Sequence, residues 1–597
     1  MKFIAVDGEG YTVQETGAHV YHMMASSLGS SVVDPAGLRT VDCFKFLLDT
    51  KQHAKDAVLV GFAINYDVNM MLKDVGRVRL VELWKEGETR WRDYKITYLP
   101  SKFIAIKCYR TKRSVKVYDT FGFFQCSFAK ALAGWDVPAP EQLDHMKASR
   151  SGFTVEQEAE ILEYCLSECR ALVDLMNALK ASLDSVELKP RGWHGAGAIA
   201  GALLGRQGVK EHVQPDTEYG DVQQAIMHAY FGGRTELFQQ GAFPTLYGYD
   251  IRSAYPAAMR SMPSLRGASM VHDRNHVPTA DVISLHHVRW GTDPTAPIQP
   301  FPFRNRRQII YPYQGEGYYW SCEVEAAIAI HGAAIEVLDG WVLKTPTEAK
   351  PFDFIDPIYE FRAQLKRDGH FGHQSLKLAI NALYGKLAQG MGWKDELPPY
   401  RSYIWAGWIT AMTRATMLRI ASPDVAMICT DGIYFTTPQA LKTSDELGGL
   451  EASELTDAFI AQPGIYEGHT PKGEVTRSRG VFAKEVNFAD LRKGYEDDGP
   501  YYVSRFATTR FEGLGTAITK RNFKTWRRWI ESERVISLYP SRKFVEDDEA
   551  RPVRHVAPSG FPGTLSTVYE PKRSGMDAPG MADFLQALEQ PMREEVT

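Results

Sequence analysis

The sequence predicts a multidomain fold of mixed α/β and α+β class, and three observations predict it. The chain has 597 residues, well beyond the roughly 250–300 at which single cores stop growing. Strand-like runs ending in carboxylates open the chain and lead into one long helical pattern over about Val155 to Leu183, which reads as an α/β unit. After a polar linker, DSVELKPRGWHG, near residue 185, strands and paired helices follow in a different order, as in an α+β unit. Composition agrees with a globular chain: 44% hydrophobic and 24% charged residues, with the 32 Pro and 49 Gly scattered. No signal-peptide pattern and no run of about 18 uncharged apolar residues occurs, so the expectation is a cytoplasmic protein with no membrane partner. Seven cysteines without CxxC spacing read as reduced thiols, neither zinc ligands nor a disulfide framework. A net charge of −4 averages over all faces and neither supports nor excludes nucleic acid.

The first strand-like run, FIAV from Phe3, ends in Asp7-Gly8-Glu9-Gly10, and the second, AVLVGFAINYD, ends at Asp67. Asp7 and Glu9 are two apart on extended backbone, so both carboxylates point to one face, as a two-metal nuclease requires. Asp67 would add a third carboxylate. Tyr164 and Glu168 are four apart on the helical pattern, which sets a phenol able to orient a water beside a fourth carboxylate. Alone, a strand-end acidic pair is commonly just solvated, and an i, i+4 pair is commonly surface decoration.

In the second half, TLYGYDIRSAYPAAM reads as strand, turn and helix around Asp250, and VAMICTDGIYF as a hairpin turning near Asp431-Gly432. Phosphoryl transfer from a nucleoside triphosphate needs two divalent ions about 4 Å apart, hence converging carboxylates. The helical patterns FDFIDPIYEFRAQLKRD and HQSLKLAINALYGKLAQ, separated by Gly369, read as an antiparallel pair. Lys377, Asn381 and Tyr384 share one face of the second pattern, and Arg362 and Lys366 are four apart on the first, so three cations can grip phosphates. From Thr519, TKRNFKTWRRWIESER reads as a helix interleaving Lys520, Arg521, Lys524, Arg527 and Arg528 with Trp526 and Trp529. Such a helix would grip a phosphate backbone, with inward packing of the two Trp residues an equal alternative. RSRGVFAK from Arg477 is expected to approach the primer. From about Ser541 a loose tail is expected, with DFLQALEQ as a short helix.

These segments resemble a known family. Asp250-Ile-Arg-Ser-Ala-Tyr255-Pro256 resembles motif A of family B DNA polymerases, Lys377-Leu-Ala-Ile-Asn381-Ala-Leu-Tyr384-Gly385 motif B, and Thr430-Asp431 the end of motif C, in the family's order. Tyr230-Phe-Gly232-Gly233 resembles the YxGG element of protein-primed phage enzymes, and the carboxylates of the first half resemble the motifs of DEDD-type proofreading exonucleases. The resemblance implies an RNase H-like exonuclease domain over 1–185, followed by a right-hand polymerase. Its parts would be palm at 186–260, an insertion at 261–349 like the one that holds a terminal protein, fingers at 350–389, second palm segment at 390–490, thumb at 491–540 and tail at 541–597. It implies two Mg2+ per active site, with Mn2+ as a substitute. The ligands would be Asp250, the Ile251 carbonyl and Asp431 in one site, and Asp7, Glu9, Asp67 and Glu168 in the other, with Tyr164 beside them. It implies nucleotide contacts from Arg362, Lys366, Lys377 and Asn381, a steric gate against the 2′-hydroxyl at Tyr255, and Tyr384 against the nascent base pair. DNA would be held by Tyr230, Gly232, Gly233, Lys520, Arg521 and Lys524.

Three positions depart from the family pattern: Cys429 stands at the first aspartate of motif C, Glu168 where the third exonuclease motif has Asp, and Ala63 where an Asn precedes the Asp67 ligand. Polymerase activity is expected to survive, and proofreading to be reduced but real. The first exonuclease motif begins at residue 7, which points to the compact protein-primed phage branch and to a monomer in the host cytoplasm. Its partners would be primer–template DNA, dNTPs and a terminal-protein primer. The interval between Gly385 and Asp431 is short for the insertion associated with strand displacement, so strong displacement is not expected. Two other readings stay open: a nuclease with a decayed polymerase half, and a polymerase that starts strands without a primer.

Overall fold

The computed structural model describes residues 1–13, 15–140, 157–293, 296–305, 308–389, 397–479, 486–499, 502–538, 550–554 and 565–569. Its first half is built on an eight-stranded mixed sheet ordered Ser31–Val33, Ala18–Ser26, Phe3–Val13, Val58–Gly61, Ser114–Asp119, Phe103–Cys108, Tyr94–Leu99, Glu88–Trp91. The central strand Phe3–Val13 runs parallel to Val58–Gly61, which runs parallel to Ser114–Asp119, and the outer pairings are antiparallel. One face is covered by the 28-residue helix Glu158–Ser185, about 42 Å long at the α-helical rise. Its buried positions Ile161, Tyr164, Cys165, Glu168, Leu172, Leu175, Met176 and Leu179 recur at helical spacing on one stripe. The same helix reaches across to the second half, where Ser182 Oγ donates to the Phe371 carbonyl at 2.8 Å and accepts from Ser375 Oγ at 2.7 Å. The linker expected near residue 185 is packed rather than loose: Leu188 and Trp193 are buried, and Trp193 meets Phe3 edge-on at 4.7 Å.

The second half centres on a seven-stranded antiparallel sheet in which Gly241–Ile251 lies between Leu450–Gln462 and Gly432–Phe435, with Val425–Thr430 and Arg234–Leu237 beyond. The strand–turn–helix around Asp250 forms as expected, with Ser253 in the left-handed region before helix Ala254–Met259. Helices Ile355–Arg367 and Gly372–Asn381 pack as a pair, and the reversal at Gly369 has φ 65°, which glycine adopts without strain. The second helical pattern is interrupted at Ala382 and resumes as Leu383–Leu387. On the resumed helix Tyr384 meets Tyr230 and Tyr255. Between the halves of this sheet, residues 261–349 form a four-stranded antiparallel sheet ordered Ser269–His272, Ile335–Lys344, Ser284–Gly291, Gln314–Trp320, with helix Ser321–His331 beside it.

Helix Tyr403–Ile420 is buried on nearly every side, and Ser402 caps it by accepting from the Trp405 amide. Its Arg414 is 3% exposed and forms a two-point ion pair with Glu323 at 2.7 and 2.8 Å. The same guanidinium donates to the carbonyls of Phe231 and Gly232 at 2.8 and 2.6 Å, which fixes the Tyr230–Gly233 turn against this helix. Arg414→Met, close in volume, strands Glu323 as a buried carboxylate. It is expected to destabilise the protein by about 3–5 kcal/mol, read as a large drop in the thermal midpoint; an unchanged midpoint would show that the pair does not hold the turn.

The stretch from Thr519 is not the helix expected of it. A short helix ends at Thr519, the chain passes through left-handed residues Arg521 and Arg527, and Trp529–Ser537 pairs antiparallel with Val503–Phe511. WIESERVIS carries three β-branched residues, Ile530, Val535 and Ile536, which favour the pleated form. Trp526 packs inward and Trp529 stays 45% exposed. The segment docks on the first half: Leu514, Ala517, Ile518 and Trp526 join the core of the eight-stranded sheet, and buried Asn69 accepts from the Leu514 amide at 2.6 Å and the Trp526 indole at 2.9 Å. In the expected tail, Ala550–Arg554 and Leu565–Tyr569 pair as a hairpin, while DFLQALEQ lies outside the described residues. Among the described residues no helix is long and apolar enough to cross a membrane.

Candidate active sites

In the larger sheet, strand register brings the two aspartates together. Asp250 lies opposite Gly432, and the Ile251 amide donates to the Asp431 carbonyl at 2.9 Å. Gly432 leaves the space that the Asp250 carboxylate fills, since a Cβ there would stand 2.2 Å from Asp250 Oδ1. Partial burial, then Asp431 and Glu451, push Asp250 up to about 6, and burial raises Asp431 as well. Arg477 sits close enough to Asp250 to favour its charged form; the rest of RSRGVFAK beyond Arg479 lies outside the described residues. Two neighbouring hard-oxygen groups, both with raised proton affinity, suit a divalent cation. Because folding raises the Asp250 pKa from 3.8 to about 6, its contribution to stability is present below 3.8 and lost as the pH rises through about 6. Magnesium is therefore expected to raise the thermal midpoint more at about pH 7.5 than at about pH 5, where protons compete for the same oxygens. An increment equal at both pH values would count against metal binding by this pair.

Cys429 does not join the carboxylates. It packs with Leu237, Met427, Tyr434 and Tyr466, and burial pushes its thiol up to about 11, so it behaves as a small apolar side chain. Three tyrosines form the adjoining wall. The rings of Tyr255 and Tyr384 are 4.5 Å apart, the hydroxyls of Tyr384 and Tyr230 meet at 2.9 Å, and Tyr230 packs on Tyr403 at 5.2 Å. Gly233 is required there: a Cβ would stand 2.5 Å from Thr430 Cγ2 and 3.1 Å from the Tyr255 hydroxyl. On the helix pair, Arg362, Lys366 and Lys377 all act on His373, lowering its pKa after burial, so the three cations share one locality. Arg362 Nε is buried without a hydrogen-bond partner among the described residues. Asn381 ends its helix exposed to solvent.

In the eight-stranded sheet, ligand oxygens of Asp7, Glu9 and Glu168 lie within 4.8 Å of one another. Glu168 comes from the long helix, one turn after buried Tyr164. Asp67 is not at a strand end: it sits in the first turn of helix Asn65–Met71, buried beside Asp7. The Tyr21 hydroxyl donates to Asp67 at 2.8 Å, and burial followed by Asp7 raises the Asp67 pKa well above its ordinary value. Gly8, between the two acids, admits this partner, because a Cβ there would stand 1.9 Å from Tyr21 Oη; Gly10, after them, makes room for Tyr66, whose hydroxyl would stand 2.5 Å from a Cβ. Sequence reasoning missed Tyr21 and also Asp119, a buried carboxylate at the end of strand Ser114–Asp119 that accepts from the Ala63 amide at 2.9 Å. The strand-end aspartate in VKVYDT was the available signal. Ala63 holds φ 56°, a left-handed geometry that asparagine tolerates better than alanine.

The expected DNA contacts divide. Tyr230 and Gly233 stand at the aspartate pair, with Gly232 held through its carbonyl by Arg414. Lys520, Arg521 and Lys524 lie instead on the segment docked against the eight-stranded sheet, and Lys520 is ion-paired with Glu512 at 2.8 Å.

Residues 143–396 match the family described as DNA polymerase type B, organellar and viral. The DNA polymerase of Acidianus bottle-shaped virus is 20% identical over 342 residues, covering 54% of this chain and 50% of that protein. A primer-independent DNA polymerase PolB of Escherichia coli is 24% identical over 241 residues, covering 36% and 28% respectively. The chain thus spans half or less of the length of these curated relatives. Among solved structures, Phi29 DNA polymerase with primer–template DNA and incoming nucleotides has a TM-score of 0.61 at 14% identity, over 90% of this chain and 99% of that one. The same enzyme with single-stranded DNA has a TM-score of 0.58 at 15% identity, over 82% and 94%. The shared fold is that of an exonuclease domain joined to palm, fingers and thumb. Over residues 143–396 the chain is thus similar to the type B DNA polymerases of organelles and viruses, and over most of its length it shares the fold of Phi29 DNA polymerase.

Proposed function

We propose that the chain is a template-directed DNA polymerase with a 3′→5′ proofreading exonuclease. The observation that carries the reading is the register that sets Asp250 against the Asp431 turn, beside three tyrosines and within the same half of the chain as three cations gathered on the helix pair. Asp250, the Ile251 carbonyl and Asp431 would hold two divalent ions, magnesium or manganese, which supply an activated 3′-hydroxyl and charge neutralisation of the triphosphate. Arg362, Lys366 and Lys377 bind the phosphates, with Asn381 on the same helix. Tyr255 closes the space under the sugar and excludes a 2′-hydroxyl, and Tyr384 lies against the nascent pair. In the nuclease half, Asp7, Glu9, Asp67 and Glu168 would hold the second ion pair, and Tyr164 orients the attacking water. The halves divide near residue 185, with 186–260 and 390–490 as palm, 350–389 as fingers, 491–540 as thumb, and the sheet of 261–349 as the docking place of a terminal-protein primer.

The test is a 5′-labelled primer on a longer template with magnesium, with and without dNTPs. Extension with dNTPs and shortening without them is the expected result; shortening without extension would leave a nuclease with an inactive polymerase half. A second reading, initiation without a primer, draws on the likeness to the primer-independent polymerase of Escherichia coli. Template and dNTPs alone would yield product under that reading and none under the first.

A further inference from the structure

The small sheet of residues 261–349 holds two buried histidine nitrogens without a partner among the described residues. His286, on strand Ser284–Gly291, is fully buried, and its Nε2 lies 2.9 Å from Ser284 Oγ. Its Nδ1 is buried without a hydrogen-bond partner, and so is Nε2 of His276. The two rings lie 5.8 Å apart, centre to centre, at an interplanar angle of 12°. Thr279 Oγ1, three residues beyond His276, is a third buried polar atom left unpaired among the described residues.

These groups meet where a loop crosses the sheet. Strands Ser269–His272 and Ser284–Gly291 are not neighbours: both pair with Ile335–Lys344, so residues 273–283 must cross that strand. They do so at Gly340, whose carbonyl accepts from the Asp273 amide at 2.9 Å, while the Asp273 carbonyl accepts from the His276 amide at 3.2 Å. A Cβ at Gly340 would stand 2.8 Å from the Asp273 carbonyl oxygen and 3.2 Å from His286 Nδ1, so that nitrogen faces the turn that carries His276. Of residues 273–283 only Pro278 is buried, so apolar packing gives this loop little hold.

Orphaned buried polar atoms in a native fold point to a water or an ion, and ring spacing separates the two. On metal–nitrogen bonds of about 2.0–2.1 Å, two imidazoles sharing one ion keep their ring centres roughly 5–6.5 Å apart. A bridging water, about 2.9 Å from each nitrogen, would set them at roughly 6.5 Å or more. The observed 5.8 Å suits the ion. When His286 Nε2 donates to Ser284 Oγ, the tautomer selected leaves Nδ1 as a bare lone pair. Burial, then His276, push His286 down to about 4, so near neutral pH the ring is in the uncharged form that ligates.

We propose that His276 and His286 bind one divalent transition-metal ion of the zinc class, with water completing its coordination, and that the ion pins the loop of residues 273–283 to the sheet. Imidazole is a ligand such ions favour, whereas magnesium takes oxygen, so this site differs in kind from the carboxylate pairs and does not rest on their reading. The test uses the whole chain, stripped with a chelator and returned to excess magnesium, which competes for the carboxylates. Bound zinc is counted by equilibrium dialysis, and cobalt replaces it for visible spectra. The wild type is expected to bind one equivalent of zinc that His276→Ala lacks. The loss should be about 100-fold or more in affinity, because partners one shell further out are already worth 10–100-fold. Cobalt should give the d–d absorption of a four-coordinate ion in the wild type and not in His276→Ala. Zinc should raise the thermal midpoint of the wild type alone, while in chelator the two proteins unfold at closely similar temperatures, which excludes misfolding of the variant. His272→Ala should keep the equivalent, since its Nε2 lies 2.6 Å from Asp339 Oδ1 instead. Equal zinc in the wild type and His276→Ala would overturn the proposal. A midpoint difference as large in chelator as in zinc would also do so, leaving a water between the rings. Loss with His272→Ala but not with His276→Ala would assign the ion to His272 and Asp339.

Discussion

Asp431→Asn is expected to slow primer extension by roughly three orders of magnitude, the equivalent of several kcal/mol of lost charge stabilisation, while shortening of the same primer without dNTPs continues. The size of the effect follows from the local chemistry. Cys429, the other side chain of the motif, is packed among Leu237, Met427 and Tyr434 with its thiol pushed up to about 11, so no second hard-oxygen ligand from this turn can take over. The substitution keeps the side-chain shape, and the backbone bond from Ile251 to residue 431 does not involve the carboxylate, so the hairpin should fold. Single-turnover incorporation of one dNTP is the direct measure. A variant within tenfold of wild type would mean that Asp431 is not a metal ligand and that the polymerase assignment rests on the wrong pair. As a control, Cys429→Ser should leave incorporation close to wild type, because the thiol holds no ion.

Local periodicity explains which parts of these sites were readable from the sequence. Asp7 and Glu9 share a face because strands alternate, and Tyr164 and Glu168 because helices repeat every 3.6 residues; in the structure Asp7, Glu9 and Glu168 do cluster. Asp250 and Asp431 were readable because a strand end and a tight hairpin each expose one side chain, and antiparallel register then sets Asp250 opposite Gly432, next to Asp431. What could not be read lies in pairings between distant segments. Tyr21 on Asp67, Asp119 on Ala63 and Arg414 on Glu323 join residues 46, 56 and 91 positions apart, and no local pattern encodes such a partner. The stretch from Thr519 was misread because its cation–aromatic spacing suits a helix, whereas the β-branched Ile530, Val535 and Ile536 and the docking of Trp526 on Asn69 decide for a loop and strand. Asp67 was placed at a strand end because the apolar run continues past Gly61, where the strand in fact stops and a helix begins.

Asp7→Ala is expected to abolish shortening, by roughly three orders of magnitude or more, and to leave extension with dNTPs at the wild-type level. Asp7 is the carboxylate that bridges the site: its oxygen lies within 4.8 Å of those of Glu9 and Glu168, and it is the charged neighbour that most raises Asp67. Removing it takes a ligand from the cluster and lets Asp67 ionise at lower pH, so the residual site is less proton-bound yet less able to hold two ions. Gly8→Ala separates holding an ion from positioning a ligand. Its Cβ would stand 1.9 Å from Tyr21 Oη and 2.8 Å from the Met23 carbonyl. Because the second is backbone in the paired strand, the tyrosine is the group that must move away from Asp67. All four carboxylates remain, yet shortening should fall steeply, and Gly8→Ala combined with Tyr21→Phe should be no worse than Gly8→Ala alone. Should Gly8→Ala shorten primers at the wild-type rate, the Tyr21 hydroxyl does not position Asp67, and the buried carboxylate acts without it.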